Sequence, residues 1–179
     1  KNKIVSQSDL LLIEKNAQAK DKLKSFGNVF SEIDENLAES EIIILSIKPQ
    51  DFWSLSSSLK AQIKPEQLII SIMAGITIQS IQTELDHFNI IRAMPNQPSQ
   101  LGMGITGYSS GSETKIQSIL KADNLLNCTG KSVFFENEFQ LDAVTALSGS
   151  GPAYFYYIVN AMIEAGVKLG IDSSTAALL

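Results

Sequence analysis

The stretch Leu147-Ser148-Gly149-Ser150-Gly151-Pro152-Ala153-Tyr154 separates two kinds of sequence. Before it, short apolar runs alternate with segments of helical spacing. After it, Tyr154, Phe155, Tyr156, Tyr157, Ile158, Val159, Met162, Ile163 and Val167 go round every face of one long helix. A helix that is apolar on all sides must be covered on all sides. The residues after Gly170 offer little cover, so the helix is expected to pack against another copy, in a chain that reads as the middle of a longer protein. Pro152 stands where a first-turn proline belongs, because its missing N–H would be unpaired there anyway. The glycines and serines before it predict bare backbone N–H groups at a helix start. Such a start, with its positive dipole end, receives a carboxylate or a phosphate. A plain loop and cap between two domains would show the same composition.

Working toward the N-terminus, apolar runs at 9–14, 28–30, 42–47, 67–73, 89–93, 103–108 and 131–135 read as strands. Helical spacing is read at 16–26, 34–40, 52–60, 77–85 and 113–126, with Gly27 as a C-terminal cap and Thr77 as an N-terminal one. Phe52, Leu55 and Leu59 fall on one stripe, and Trp53 is expected to pack beside them. Strands that alternate with helices through short links predict a mostly parallel sheet covered on both faces. Ligands bind such a sheet beyond the carboxyl ends of its strands. That rule selects Glu14, Ser46 to Pro49, Ile72 to Gly75, and Met94 to Asn96. If the run at 9–14 is the second strand of a dinucleotide-binding unit, Glu14 at its end accepts bonds from adenosine ribose hydroxyls, which favours NAD. Lys15 and Asn16 follow, and a cation there accommodates the 2′-phosphate of NADP. The two signals conflict, so the choice between NADH and NADPH stays open.

Composition excludes several classes. A net charge of −5 over 179 residues, without a basic block, argues against a general nucleic-acid or anionic-membrane binder. One cysteine, Cys128, permits no internal disulfide and no thiolate metal cluster. One histidine, His87, leaves a histidine-based triad or zinc site without partners, and its polar surroundings predict a surface position. No metal site is expected. No apolar run approaches the roughly 20 residues of a spanning helix, and the cytoplasm is the default compartment.

Four segments together resemble pyrroline-5-carboxylate reductase. They are Lys48-Pro49-Gln50, Ser71-Ile72-Met73-Ala74-Gly75-Ile76-Thr77, Arg92-Ala93-Met94-Pro95-Asn96-Gln97-Pro98 and Asp142 to Tyr154, in the family's order. The resemblance implies an α/β fold: a Rossmann-like, mostly parallel dinucleotide-binding sheet over residues 1–136, then the start of an all-helical dimerisation domain over 137–179. The first strand and its G-x-G-x-x-G turn are not found in the sequence, which reads as opening just before the second strand. The family's later Ser/Pro/Gly/Gly/Thr-bearing pocket segment is not found either. The resemblance implies that Ser46, Ile47, Lys48 and Pro49, with Ile72, Met73 and Ala74, line an NADPH or NADH cofactor. Pro49 forces Lys48 into extended backbone, and the small Ala74-Gly75 pair lets a flat ring approach. Met94, Pro95 and Asn96 are expected to border the nicotinamide, Asn96 bonding its amide, and Glu138 is expected at the cofactor edge. The substrate carboxylate is placed at Ser148, Gly149, Ser150 and Gly151 by the dipole argument. The implied reaction is reduction of 1-pyrroline-5-carboxylate to L-proline by a homodimer or higher oligomer joined through its C-terminal helices. A catalytic side chain is not identified.

Two other readings compete. Dehydrogenases of the 3-hydroxyacid kind share the layout of a glycine-rich turn opening a long interdomain helix. They need a base for the hydroxyl proton, and that family places a lysine about one turn into the helix. Here the positions read Tyr154-Phe155-Tyr156-Tyr157, with no lysine until Lys168. A non-catalytic, nucleotide-binding dimer scaffold is the third reading.

Overall fold

The computed structural model describes residues 5–179; the first four residues of the expected first domain lie outside the described residues. Two parallel strands, β1 (Leu11–Ile13) and β2 (Asn28–Phe30), flank helix α1 (Ala17–Leu23). A second sheet has the order β3 (Ile42–Leu45), β4 (Leu68–Ser71), β5 (Ile90–Met94), β6 (Gly104–Ser110), β7 (Gly130–Phe134). Helices α2 (Phe52–Gln62) and α3 (Ile78–Leu85) link β3 to β4 and β4 to β5, and α4 (Ile116–Leu126) links β6 to β7. Then come α5 (Gln140–Val144), α6 (Gly151–Lys168) and α7 (Ser173–Leu178).

The sheet is parallel through β3, β4 and β5, while β6 runs antiparallel to β5 and β7 parallel to β6. A parallel return needs a crossover of a dozen or more residues, usually a helix. Residues 95–103 supply only a short 3-10 turn, Gln97–Leu101, so the chain reverses. The next link carries α4 and restores a parallel step. On one face Phe52, Leu59, Ile69, Met73, Ile81 and Leu85 form a core, and on the other Ile70, Ile91, Tyr108 and Ala122 do. The stripe expected on α2 is present, but Trp53 is half exposed and only its edge meets Phe52, at 5.2 Å between ring centres. Residues 34–40 form a 3-10 turn capped by Asp34 rather than a regular helix.

Between β1 and β3 no ladder forms. A cleft of about 150 Å³ lies there, lined by Leu11 and Ile13 on one side and Ile42 and Ile44 on the other. Among the described residues no helix is long and apolar enough to cross a membrane.

His87 departs from its expected surface position. It is 3% exposed, and its Nε2 lies 2.8 Å from the Gln67 carbonyl oxygen. Asn89 donates to the same oxygen at 3.2 Å, and Gln67 Nε2 donates to the Leu37 carbonyl at 2.9 Å. These polar side chains tie the amino-end loops of the sheet together, which is why a polar sequence turn is buried.

Tyr108 crosses from β6 to α4, donating to Asp123 Oδ1 at 2.9 Å. Burial, then the Asp123 hydrogen bond and charge, push its phenol from 10.0 up to about 12. The fold therefore favours the protonated ring. The stability this adds is complete below about pH 10 and is lost as pH rises toward 12. Tyrosinate absorbance should show one late step near pH 12 that Tyr108→Phe abolishes. A titration in which that variant keeps the late step would contradict the assignment.

Candidate active site

The carboxyl ends of β3, β4 and β5 open on one side of the sheet. After β3, Lys48 has φ −67° and ψ 141°, and Pro49 opens a 3-10 turn into α2. The extended backbone expected before Pro49 is thus present, and Ser46 and Lys48 are exposed. After β4, Ile72 is half-buried and Met73 buried, while Ala74 and Gly75 reach the surface. Gly75 turns the chain at φ 74°, and a Cβ placed there would meet nothing within 4 Å. The edge is therefore open and small-sided where a flat ring has to approach, and these residues fit the nicotinamide end of a dinucleotide. At the end of β1, Glu14 accepts from the Asn16 amide at 2.8 Å, and Asn16 caps α1 by accepting from the amides of Gln18 and Ala19. Lys15 is exposed beside them.

The Ser-Gly stretch differs from its expected form. A helix does begin at Gly151 with Pro152 in its first turn, as expected, but what precedes it is not a loop. Thr145–Gly149 is a π-helical turn between α5 and α6, and Ser150 has helical φ and ψ of −88° and −19°. The Ser150 N–H is used by the Thr145 carbonyl at 2.8 Å, and the Ala153 N–H by Ser150 at 3.0 Å. The bare amide expected at Ser150 is thus already paired, and the Ala153 amide just beyond Pro152 is paired as well. Glycine and serine composition signals a break in an α-helix, but a wider helical turn satisfies the same composition; such turns recur at functional sites.

The structure brings this π turn against the carboxyl edge. Asn96 Nδ2 donates to Ser148 Oγ at 3.2 Å, and Asn96 Oδ1 accepts from the Ile105 amide at 3.0 Å. A Cβ on Gly149 would lie 3.5 Å from the Met94 side chain. Both halves of the Asn96 amide are therefore engaged within the chain. Gly107 on β6 lets the helical run sit this low, since a Cβ there would stand 2.9 Å from Val144 Cγ1 and 3.1 Å from the Phe135 ring.

Sequence reading missed Arg92, Asp142 and Gly107. Arg92 lies in the middle of β5, is 2% exposed, and alternates onto the face of Ile90 and Met94. Its Nη1 donates to Glu138 Oε1 at 2.9 Å and its Nη2 to Asp142 Oδ1 at 3.0 Å. Glu138 Oε1 also accepts from the Ile78 amide at the head of α3, at 2.8 Å, where a helix dipole favours an anion. The oxygen expected at the cofactor edge is thus held by two donors of the chain. The signal was available: a lone arginine inside an apolar strand must be paired when buried, and Glu138 and Asp142 are spaced to share one helix face.

Residues 138–179 match the family model described as pyrroline-5-carboxylate reductase dimerisation, and residues 5–75 match that described as NADP oxidoreductase, coenzyme F420-dependent. A pyrroline-5-carboxylate reductase of Pseudomonas aeruginosa is 40% identical over 146 residues, 81% of this chain and 54% of that protein. Pyrroline-5-carboxylate reductase 2 of Bacillus subtilis is 40% identical over 146 residues, 81% of this chain and 52% of that protein. The crystal structure of the Plasmodium falciparum pyrroline carboxylate reductase with NADP bound is similar at a TM-score of 0.86 and 26% identity, covering 97% of this chain and 64% of that one. The chain spans about half the length of the curated relatives it matches. The resemblance carried by the four sequence segments is borne out.

Gly107→Ala should lower stability by about 1–3 kcal/mol, because Val144 and Phe135 have to give way. Denaturant unfolding checks this, and an unchanged midpoint would mean that the close contact is not tight.

Proposed function

We infer that this chain is part of a pyrroline-5-carboxylate reductase, an oxidoreductase that reduces 1-pyrroline-5-carboxylate to L-proline with NADPH or NADH, the last step of proline biosynthesis. The division is proposed as residues 1–136 for the dinucleotide layer and 137–179 for the start of the helical dimerisation domain. The observation that carries the reading is the Asn96 to Ser148 hydrogen bond, which sets the π turn over the carboxyl edge of the sheet. A cofactor and a small substrate held on the two sides of that contact are adjacent.

A reduced nicotinamide, when bound, would supply the hydride for the C=N carbon, and that chemistry is the cofactor's own. The chain's own residues supply position. Ser46, Ile47, Lys48 and Pro49 form one wall, and Ile72, Met73 and Ala74 the next. Met94 and Pro95 border the ring, with Asn96 holding the wall to the π turn. Glu14, Lys15 and Asn16 face the adenosine ribose, where the acid suits NADH and the lysine suits NADPH. Ser148, Gly149, Ser150 and Gly151 receive the substrate carboxylate. The imine nitrogen is protonated before attack, the proton coming from solvent or a hydroxyl, so no strong base is needed. That fits a helix without a lysine between Tyr154 and Val167. We place the enzyme in the cytoplasm.

The oligomer is proposed to form through α6. Phe155 is 69% exposed, Tyr157 78% and Met162 68%. Apolar surface of this extent marks an interface, and the family model matched at 138–179 is a dimerisation model. The partner is a second copy of the chain. Light scattering of the full-length protein should give a dimer or larger, and Phe155→Asp with Tyr157→Asp should shift it toward monomer. A monomeric unmutated protein would remove this assembly.

The activity is tested by NAD(P)H oxidation in the full-length protein with 1-pyrroline-5-carboxylate and, separately, with 1-pyrroline and with 3-hydroxy acids. Loss of the carboxylate should cost about 10- to 100-fold in kcat/KM, the worth of one or two charge-assisted hydrogen bonds. No oxidation with the imine would remove the reading, and turnover only of 3-hydroxy acids would replace it with a hydroxyacid dehydrogenase.

A further inference from the structure

Resting on the imine-reductase reading, we propose that Arg92 is a positioning residue for hydride transfer: it fixes the seat of the helical run, and so the distance between the nicotinamide wall and the Ser-Gly turn. Its guanidinium is 2% exposed and lies two residues before Met94, on the same face of β5. It is therefore outside reach of a ligand and works through other groups. Its two terminal nitrogens grip Glu138 at 2.9 Å and Asp142 at 3.0 Å. Two acids four residues apart, Glu138 in the turn before α5 and Asp142 within it, are held by one planar fork, which fixes both the height of the run and its rotation about its own axis. The second contact adds to the restraint already set by buried Leu141 and by the Asn96 to Ser148 bond.

Glu138 extends the grip in a second direction. The same carboxylate oxygen holds the Ile78 amide at 2.8 Å. Ile78 begins α3 directly after the turn at Ala74 and Gly75. One carboxylate thus joins the turn after β4, the strand leading to Met94–Asn96, and the helical run that carries Ser148–Gly151. These are the walls proposed for the two reactants. The Asn96 to Ser148 bond, neutral and 3.2 Å long, is the weaker tether between the same parts. Reaction geometry is steep in distance, and a displacement of about 1 Å costs on the order of 100-fold in rate.

The test uses the full-length enzyme and compares Asp142→Asn, Glu138→Gln and Arg92→Lys with the unmutated protein. The readouts are kcat, KM for the imine, the dissociation constant for NADPH, and the isotope effect with deuterium at the transferred position. The Asp142 side chain is 66% exposed, so its replacement leaves a folded enzyme to measure. Each acid variant should lose about 10- to 100-fold in kcat, keep the NADPH dissociation constant within about twofold, and show a larger isotope effect as hydride transfer becomes slower. Lysine keeps the charge without the fork, so Arg92→Lys should lose rate in the same way. Unchanged kcat and isotope effect in both acid variants, or a fully active Arg92→Lys, would overturn the positioning role while leaving imine reduction intact. An unmutated enzyme that does not oxidise NADPH with the imine would remove the reading itself, and the positioning role with it.

Discussion

A guanidinium buried in the centre of a sheet demands opposite charge, and in this chain the demand is met from outside the sheet. Arg92 sits among Ile90, Ile91, Ala93 and Met94, all of them buried. Leaving it unpaired there would cost about 3–5 kcal/mol. Its partners come from the helical run that follows β7, some 46 and 50 residues away in sequence. The strand and the run are therefore joined by charge as well as by packing. Gly107 lets Val144 come down onto β6, Leu141 is fully buried beneath the run, and Asn96 reaches Ser148. Each contact brings the π turn toward the carboxyl edge of the sheet, where an open α/β layer holds its ligands.

The π turn follows from the same constraint. Residues 140–168 have to descend onto the sheet, pass the carboxyl edge and then leave it as an exposed apolar rod. A straight α-helix would carry side chains past Met94 at fixed spacing. A wider turn built of Leu147, Ser148 and Gly149 changes the helical phase there, and a glycine at 149 keeps its backbone close to Met94. Beyond it, α6 leaves most of its large apolar side chains exposed, and α7 packs against it. The proposed site and the proposed assembly surface thus share one element, and the covering of α6 in an oligomer would bear directly on the turn.

Much of this was legible in the sequence. The strand–helix alternation gave the sheet, and the strand-end rule found Ser46–Pro49, Ile72–Gly75 and Met94–Asn96 before any geometry. What was misread has local physical causes. The reversal at β6 hinges on a link too short to cross over, and the alternation of strands does not report link length. The π turn has the composition of a loop, because glycine and serine serve both. His87 looks solvated because its neighbours are polar, yet its partner is the buried Gln67 carbonyl from another part of the chain. Arg92 was quoted within a motif but assigned nothing, although charge inside an apolar strand is itself a signal. The partners of such a residue are set by tertiary distance, which no local window carries.

In the proposed function the substrate carboxylate lies at Ser148–Gly151 with the nicotinamide beside Met94–Asn96. A crystal structure of the full-length protein with NADPH and a non-reducible ring carboxylate tests it most directly. The expected result is the carboxylate within about 3.2 Å of a hydrogen-bond donor in residues 148–151, with the nicotinamide between that turn and Ala74. A carboxylate bound elsewhere, or a nicotinamide lying away from the carboxyl ends of β4 and β5, would contradict it.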